Sequence, residues 1–361
     1  MQGLVPSRSA LLAAFTVAVM AIVALGTTAT SAAEIGKTLD EIVALAKKEP
    51  PVRVASVWQK EIIAEISKGF KAKYGLSFTH DRVTGLDTRE RILNESIAGV
   101  LPYDLVNVSG ELRPTYVKAG ILIPVEWQQL FPEIDKIHFS PDKHFVATGF
   151  SMYGILYNSK QVQAAQAPET WDDCLAPTWK SKFAVHSRGR PFTALWPDWG
   201  RDKSLAYHRQ LKANDPVFST GGTEMIVQIA TGEHIMGCGY AYHSYLNVVR
   251  KDPDADLKFV VPTDLPFHIS EAFAIVKSAK SPNAALLLAA YSAKEGQPAY
   301  RHIGRTSPFV DGSQASDMAK AVNAKVIWGG WDFAGDEEVA AAKEIVTVWG
   351  FRADSVGQGS D

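Results

Sequence analysis

The run Phe145-Val146-Ala147-Thr148-Gly149-Phe150-Ser151-Met152-Tyr153-Gly154-Ile155-Leu156-Tyr157 decides how this chain is organised. Two extended stretches, 145–147 and 153–157, flank a break that holds Gly149, Ser151 and Gly154. Glycine inside a strand pattern marks a bulge, a bend or a close backbone approach, and here it suits a crossover from one lobe to another. A second break falls at Pro262, between the strand patterns 257–261 and 269–276. Two crossings imply two lobes: 34–148 plus 265–312 forms the first, 149–264 the second, and 313–361 supplies terminal helices packed across both.

Working outward, short β-branched runs alternate with helical patterns, as parallel α/β sheets require. Residues 52–57 read as a strand, and Ile62, Ile63, Ile66 and Phe70 then recur at helical spacing up to Gly75, a helix stop. A helix is expected at 88–98 and a strand at 104–108, with Ser109 as the N-cap of a helix over 110–119. Pro168 and 170–175 open the second unit. It continues with a strand at 183–186, a helix at 223–231, a strand at 234–238 and a helix at 242–250. Helices are expected again at 283–293 and from Ser316 onward.

At 361 residues the chain exceeds what one hydrophobic core serves, and 37 basic against 39 acidic side chains argue against a nucleic-acid partner. Arg8, an uncharged apolar run over 10–25 and the small residues of 27–33 have the order of a secretory signal peptide. Ser31 and Ala33 stand three and one positions before the expected cut, so the mature chain begins at Glu34. The apolar run, about 16 residues, is shorter than the roughly 20 that a membrane-spanning helix needs. No cysteine near the cut offers a lipid anchor. Cys174 and Cys238 are the only cysteines. An oxidising compartment permits a bond between them, but spacing does not say whether they meet, and two cysteines make a structural zinc site improbable. No cofactor is expected.

Four stretches carry a resemblance over nearly the whole mature chain. They are Tyr103-Asp104-Leu105-Val106-Asn107-Val108 with Ala119-Gly120-Ile121-Leu122-Ile123-Pro124; Gly154-Ile155-Leu156-Tyr157-Asn158 with Pro168-Glu169-Thr170-Trp171-Asp172-Asp173; Thr231-Gly232-Glu233 with Gly239-Tyr240-Ala241-Tyr242; and Ala272-Phe273-Ala274-Ile275-Val276 with Ser281-Pro282-Asn283-Ala284-Ala285 and Glu295-Gly296-Gln297. Taken singly, each has a scaffold reading as a turn or a helix start. In this order they resemble the periplasmic solute-binding proteins of ABC importers, and especially the ferric-ion-binding branch. The resemblance implies an α/β, two-lobed type II periplasmic-binding fold with a cleft between the lobes. It also implies a monomer that closes on a small-molecule ligand, and an ABC permease in the inner membrane as partner. A receptor for a sensor kinase would have the same sequence character. An enzyme is not expected: Gly149-Phe150-Ser151-Met152-Tyr153 lacks the second glycine of a nucleophile elbow, and no zinc-protease motif or phosphate loop occurs.

In such folds ligands sit at the carboxyl ends of strands, which nominates Ser56, Trp58, Gln59, Ser109, Ser151 and Tyr153. In the ferric-ion branch the metal is held by a histidine, a glutamate and two adjacent tyrosines, which the resemblance places at Gln59, Ser109, Tyr242 and His243. Only Tyr242 matches, so iron by that pattern is not expected, and an iron site built from Tyr240, Tyr242 and Tyr245, or an iron held in a bound chelator, is the alternative. The segment His186-Ser187-Arg188-Gly189-Arg190-Pro191 follows a strand and offers two guanidinium groups to an anion. With Tyr240, Tyr242 and His243 it forms the expected clamp for a small organic anion.

Overall fold

The structure is a computed structural model that describes residues 35–83, 86–109 and 112–355, and the expected leader lies outside the described residues. Among the described residues ten strands make one connected sheet. They are β1 (Val52–Ser56), β2 (Phe78–Arg82), β3 (Leu105–Val108), β4 (Val146–Asn158), β5 (Phe183–His186), β6 (Val217–Ser219), β7 (Met236–Ala241), β8 (Leu257–Val260), β9 (Asp264–Ile275) and β10 (Lys325–Ile327). Their order is β2-β1-β3-β9-β4-β7-β5-β6, with β10 added to β9 and β8 to β4.

Local signals account for much of this. The helix Lys60–Tyr74 buries Ile62, Ile66 and Phe70, and Gly75, at φ 72°, ends it by donating its N–H to the Lys71 carbonyl. Thr170 and Asp173 form a capping box at the turn Trp171–Leu175, which is a 3₁₀ segment. After β3 the α-helix Arg113–Lys118 has Leu112 at its N-cap position, and the start of the expected segment, Gly110 and Glu111, lies outside the described residues. β10 interrupts the terminal helices because it pairs in parallel with Asp264 to Pro266 of β9.

The two breaks read in the sequence lie in or beside the two longest strands. β4 runs unbroken for 13 residues: Val146 to Met152 pair with β9, while Tyr153 to Asn158 pair with β7 and β8. Both strands are almost wholly buried, and a continuous ladder satisfies backbone groups that water cannot reach. Gly149 is therefore an irregularity in register rather than an end: a Cβ there would lie 3.1 Å from the Glu271 side chain. The apolar core follows the same division. One cluster includes Val54, Leu105, Phe150, Phe273 and Leu287, and two others hold Phe183 with Cys238, and Leu156 with Tyr240.

A second bulge shapes the site. Tyr153 pairs with Ala241 and Gly154 with Tyr240, but Ile155 pairs with Cys238, so Gly239 is the extra residue in β7. Cys238 and Tyr240, two apart, should share a face, yet they pack in different clusters. Gly239 sits at φ 79°, and a Cβ on it would meet the Phe192 ring at 2.6 Å. Gly239→Val is expected to cost about 2–4 kcal/mol, combining left-handed strain with overpacking. Urea denaturation should show this loss, and an unchanged midpoint would mean that the bulge is dispensable.

Candidate functional site

Two depressions share one floor. The larger, of ≈ 790 Å³, is bounded by Trp58, Gln59, Lys60 and Glu61 after β1, by His80 and Arg82 of β2, and by Thr223, Asn247 and Lys251 opposite. The smaller has room for ≈ 30 Å³, a water or two, between Tyr153, the loop after β5, the end of β7 and the starts of two helices. Gly222 and Thr223 are neighbours, and Ser244 and Asn247 lie one turn apart on the helix Tyr242–Val249, so each helix serves both depressions.

The smaller pocket is built mainly for negative charge. His186 at the end of β5 and Arg188 and Arg190 just beyond it reach the pocket, and among the described residues no carboxylate lines it. The helix Gly222–Thr231 starts at the pocket with Gly221 as N-cap, and the helix Tyr242–Val249 starts there with Ala241. Neither cap has a side chain bonded into its helix, and first-turn N–H groups have no intrahelical acceptor. Such helix starts attract anions. Tyr240 is fully buried, lines the pocket, and its hydroxyl finds no hydrogen-bond partner among the described residues. Burial pushes its phenol far above the ordinary range, so it stays a neutral donor.

Arg190 is held from behind. Its Nε donates to Glu338 Oε1 at 2.6 Å, and His268 Nδ1 of β9 lies 3.0 Å from the same oxygen. Burial opposes ionisation of Glu338, but Arg190 and His268 outweigh it and hold the carboxyl well below the usual range. Glu338 comes from the helix Asp336–Trp349, which also packs against Gly189 through Ala342, Ile345 and Val346.

Of the residues nominated from sequence, Tyr153, Arg188, Arg190, Tyr240 and His243 line the small pocket, and Gln59 lines the cleft. Trp58 touches the cleft but is fully buried, set edge-on to Phe78 and Phe273, with its indole N–H given to Tyr300 Oη. Ser56, Ser109, Ser151 and Tyr242 line neither depression. Ser56 Oγ is 2.9 Å from His80 Nε2, and Tyr242 Oη accepts from Gln314 while its ring stacks on Tyr245. Sequence reading missed His80, Arg82, Gly222, Ser244, Lys251 and Glu338. The pair Gly221-Gly222 ahead of a helix was the one local signal that pointed to any of them.

A sheet in which two long antiparallel strands, β4 and β9, join the strands β1 to β3 to the strands β5 to β8, with a mixed-charge and a cationic depression at strand ends, has the architecture of a type II periplasmic-binding fold. The chain belongs to the bacterial extracellular solute-binding proteins, whose family model matches residues 102–336. Solved structures agree on the fold. FutA (IdiA) from Trichodesmium, in complex with iron and citrate, shares 20% identity at a TM-score of 0.66, covering 83% of this chain and 99% of that one. Mannheimia haemolytica ferric iron-binding protein A, in an open conformation, shares 17% at 0.67, covering 83% and 99%. AfuA from Actinobacillus pleuropneumoniae, with fructose-6-phosphate bound, shares 19% at 0.57, covering 86% and 99%. A search of curated proteins found no match. Among the described residues no helix is long and apolar enough to cross a membrane.

Proposed function

We propose that this protein captures a small organic anion in the periplasm and delivers it to an ABC permease. The observation that carries this reading is the small pocket, where two guanidinium groups, two uncapped helix starts and a buried phenol converge, with no carboxylate among the described lining residues. AfuA, which shares the fold, holds an organic anion, and this supports the reading. The iron alternative has less support: of Tyr240, Tyr242 and Tyr245 only Tyr240 lines either depression, and the Tyr242 hydroxyl already accepts from Gln314. Delivery follows from a two-lobed hinge in which β4 and β9 flex near Gly149 and Pro262. The ligand favours the closed state by its differential affinity for the two. The proposed lobes are 34–148 plus 265–312 and 149–264, and the proposed export ends in cleavage after Ala33.

Arg188→Ala is expected to weaken binding roughly 10- to 150-fold, the usual cost of losing a charged hydrogen bond. Mass spectrometry of the molecule released from denatured periplasmic protein identifies the ligand, and calorimetry with that molecule measures the loss. Equal affinity in parent and variant, or a bare metal ion as the released ligand, would overturn the anion reading. Small-angle scattering should also show a smaller radius of gyration at saturation, and no change would count against the hinge.

A further inference from the structure

We infer that the small pocket takes a tetrahedral oxyanion, the phosphate or phosphonate head of a small organic molecule, rather than a carboxylate; this rests on the anion-binding reading above. Donors reach the pocket from four separate elements. The guanidinium groups of Arg188 and Arg190 come from the loop after β5, and the Tyr240 hydroxyl comes from β7. The backbone at Gly222 opens one helix, and Ser244 sits in the first turn of the other. A carboxylate presents two oxygens whose roughly four lone-pair sites lie near one plane. A phosphoryl head presents three oxygens fanned over a hemisphere and carries nearly two negative charges near neutral pH. The second shape makes fuller use of donors arriving from several sides. The hydroxyl of Tyr240 is the independent mark of a missing partner, because a fully buried phenol is not left without an acceptor unless something else supplies one.

The pocket also limits what enters. As it stands its room of ≈ 30 Å³ holds a water or two, so a head group enters only as the surrounding side chains rearrange, and nothing longer follows it in. The tail must leave past Thr223 and Asn247 into the larger cleft, where Gln59, Lys60 and Arg82 face it. The ligand is then a phosphorylated or phosphonylated small molecule with a polar tail.

Calorimetry on ligand-stripped protein with methylphosphonate, glycerol 3-phosphate, inorganic phosphate, methanesulfonate and acetate tests this. Methylphosphonate and glycerol 3-phosphate should bind at least tenfold more tightly than acetate or methanesulfonate, and glycerol 3-phosphate more tightly than inorganic phosphate. Tyr240→Phe should weaken the phosphoryl probes roughly 10- to 150-fold. The same variant should melt no lower than the parent without ligand, since it deletes a hydroxyl that has no hydrogen-bond partner among the described residues. A purely structural Tyr240 would behave oppositely, lowering the melting temperature and leaving affinity alone. Tighter acetate binding that falls in Arg188→Ala would overturn the tetrahedral head and keep the anion reading. Binding of none of the anions would overturn both. Preference for inorganic phosphate over its ester would overturn the organic tail.

Discussion

Replacing Cys174 and Cys238 together by serine is expected to lower stability by about 4 kcal/mol, the chain-entropy value for a loop of this size. The two are joined in a disulfide across 64 residues, and both sulfurs are in the core of one cluster with Trp171, Phe183 and Phe192. The bond ties the turn Trp171–Leu175 to β7 immediately before Gly239 and Tyr240, so its loss should loosen the pocket as well as the fold. A fall in melting temperature of roughly 6 °C corresponds to that free energy in a chain of this length. Differential scanning calorimetry of the double variant, beside the parent in strong reductant, measures it. If both melt with the untreated parent, the bond adds nothing to stability. The same disulfide suits an oxidising compartment, in keeping with an extracellular family.

Glu338→Gln should destabilise the protein by about 2–4 kcal/mol near neutral pH, and the loss should shrink in acid. Removing one partner of a buried pair leaves the other charge uncompensated, a cost of about 3–5 kcal/mol when both are fully buried, reduced here because Arg190 is partly exposed. The pH dependence follows from the depressed carboxyl. A group whose folded pKa lies below its unfolded value, about 4.3 for glutamate, contributes its full stabilisation above that value and loses it as pH falls toward the folded one. The gap in melting temperature between parent and variant should thus be widest at pH 6–7 and narrow steadily below about pH 4. A gap that stays constant from pH 7 to pH 3 would show that the charge of Glu338 is not what stabilises. Because Glu338 also fixes Arg190 at the pocket and contacts His268 on β9, the variant should bind its ligand more weakly too.

These residues show where sequence reading reached and where it stopped. The helix Lys60–Tyr74, the strand Phe183–His186 and the helix Tyr242–Val249 were legible because each is set by a short-range pattern: apolar spacing, a β-branched run, a glycine stop. Arg188 and Arg190 could be nominated because a loop after a strand is a local feature and topology puts such loops at one edge, and Tyr240 and His243 because motif order placed them beside the family's ligand positions. Trp58 could not be sorted from sequence. Only the packing of Phe78, Phe273 and Tyr300 around it makes it part of the core.

What the sequence by itself determined is the class of fold, the family and the loop that carries the cations, since periodicity and motif order are properties of neighbours along the chain. Tertiary structure alone decided the rest. That Cys174 meets Cys238, that Gly239 forms a bulge turning Tyr240 to the opposite face from Cys238, and that Glu338 seats Arg190 from 148 residues away all depend on contacts between distant segments. A carboxylate's partner, a phenol's missing acceptor and the two depressions' shared floor exist only once those segments are packed together, because charge and hydrogen bonding act through space over a few ångströms and not along the chain.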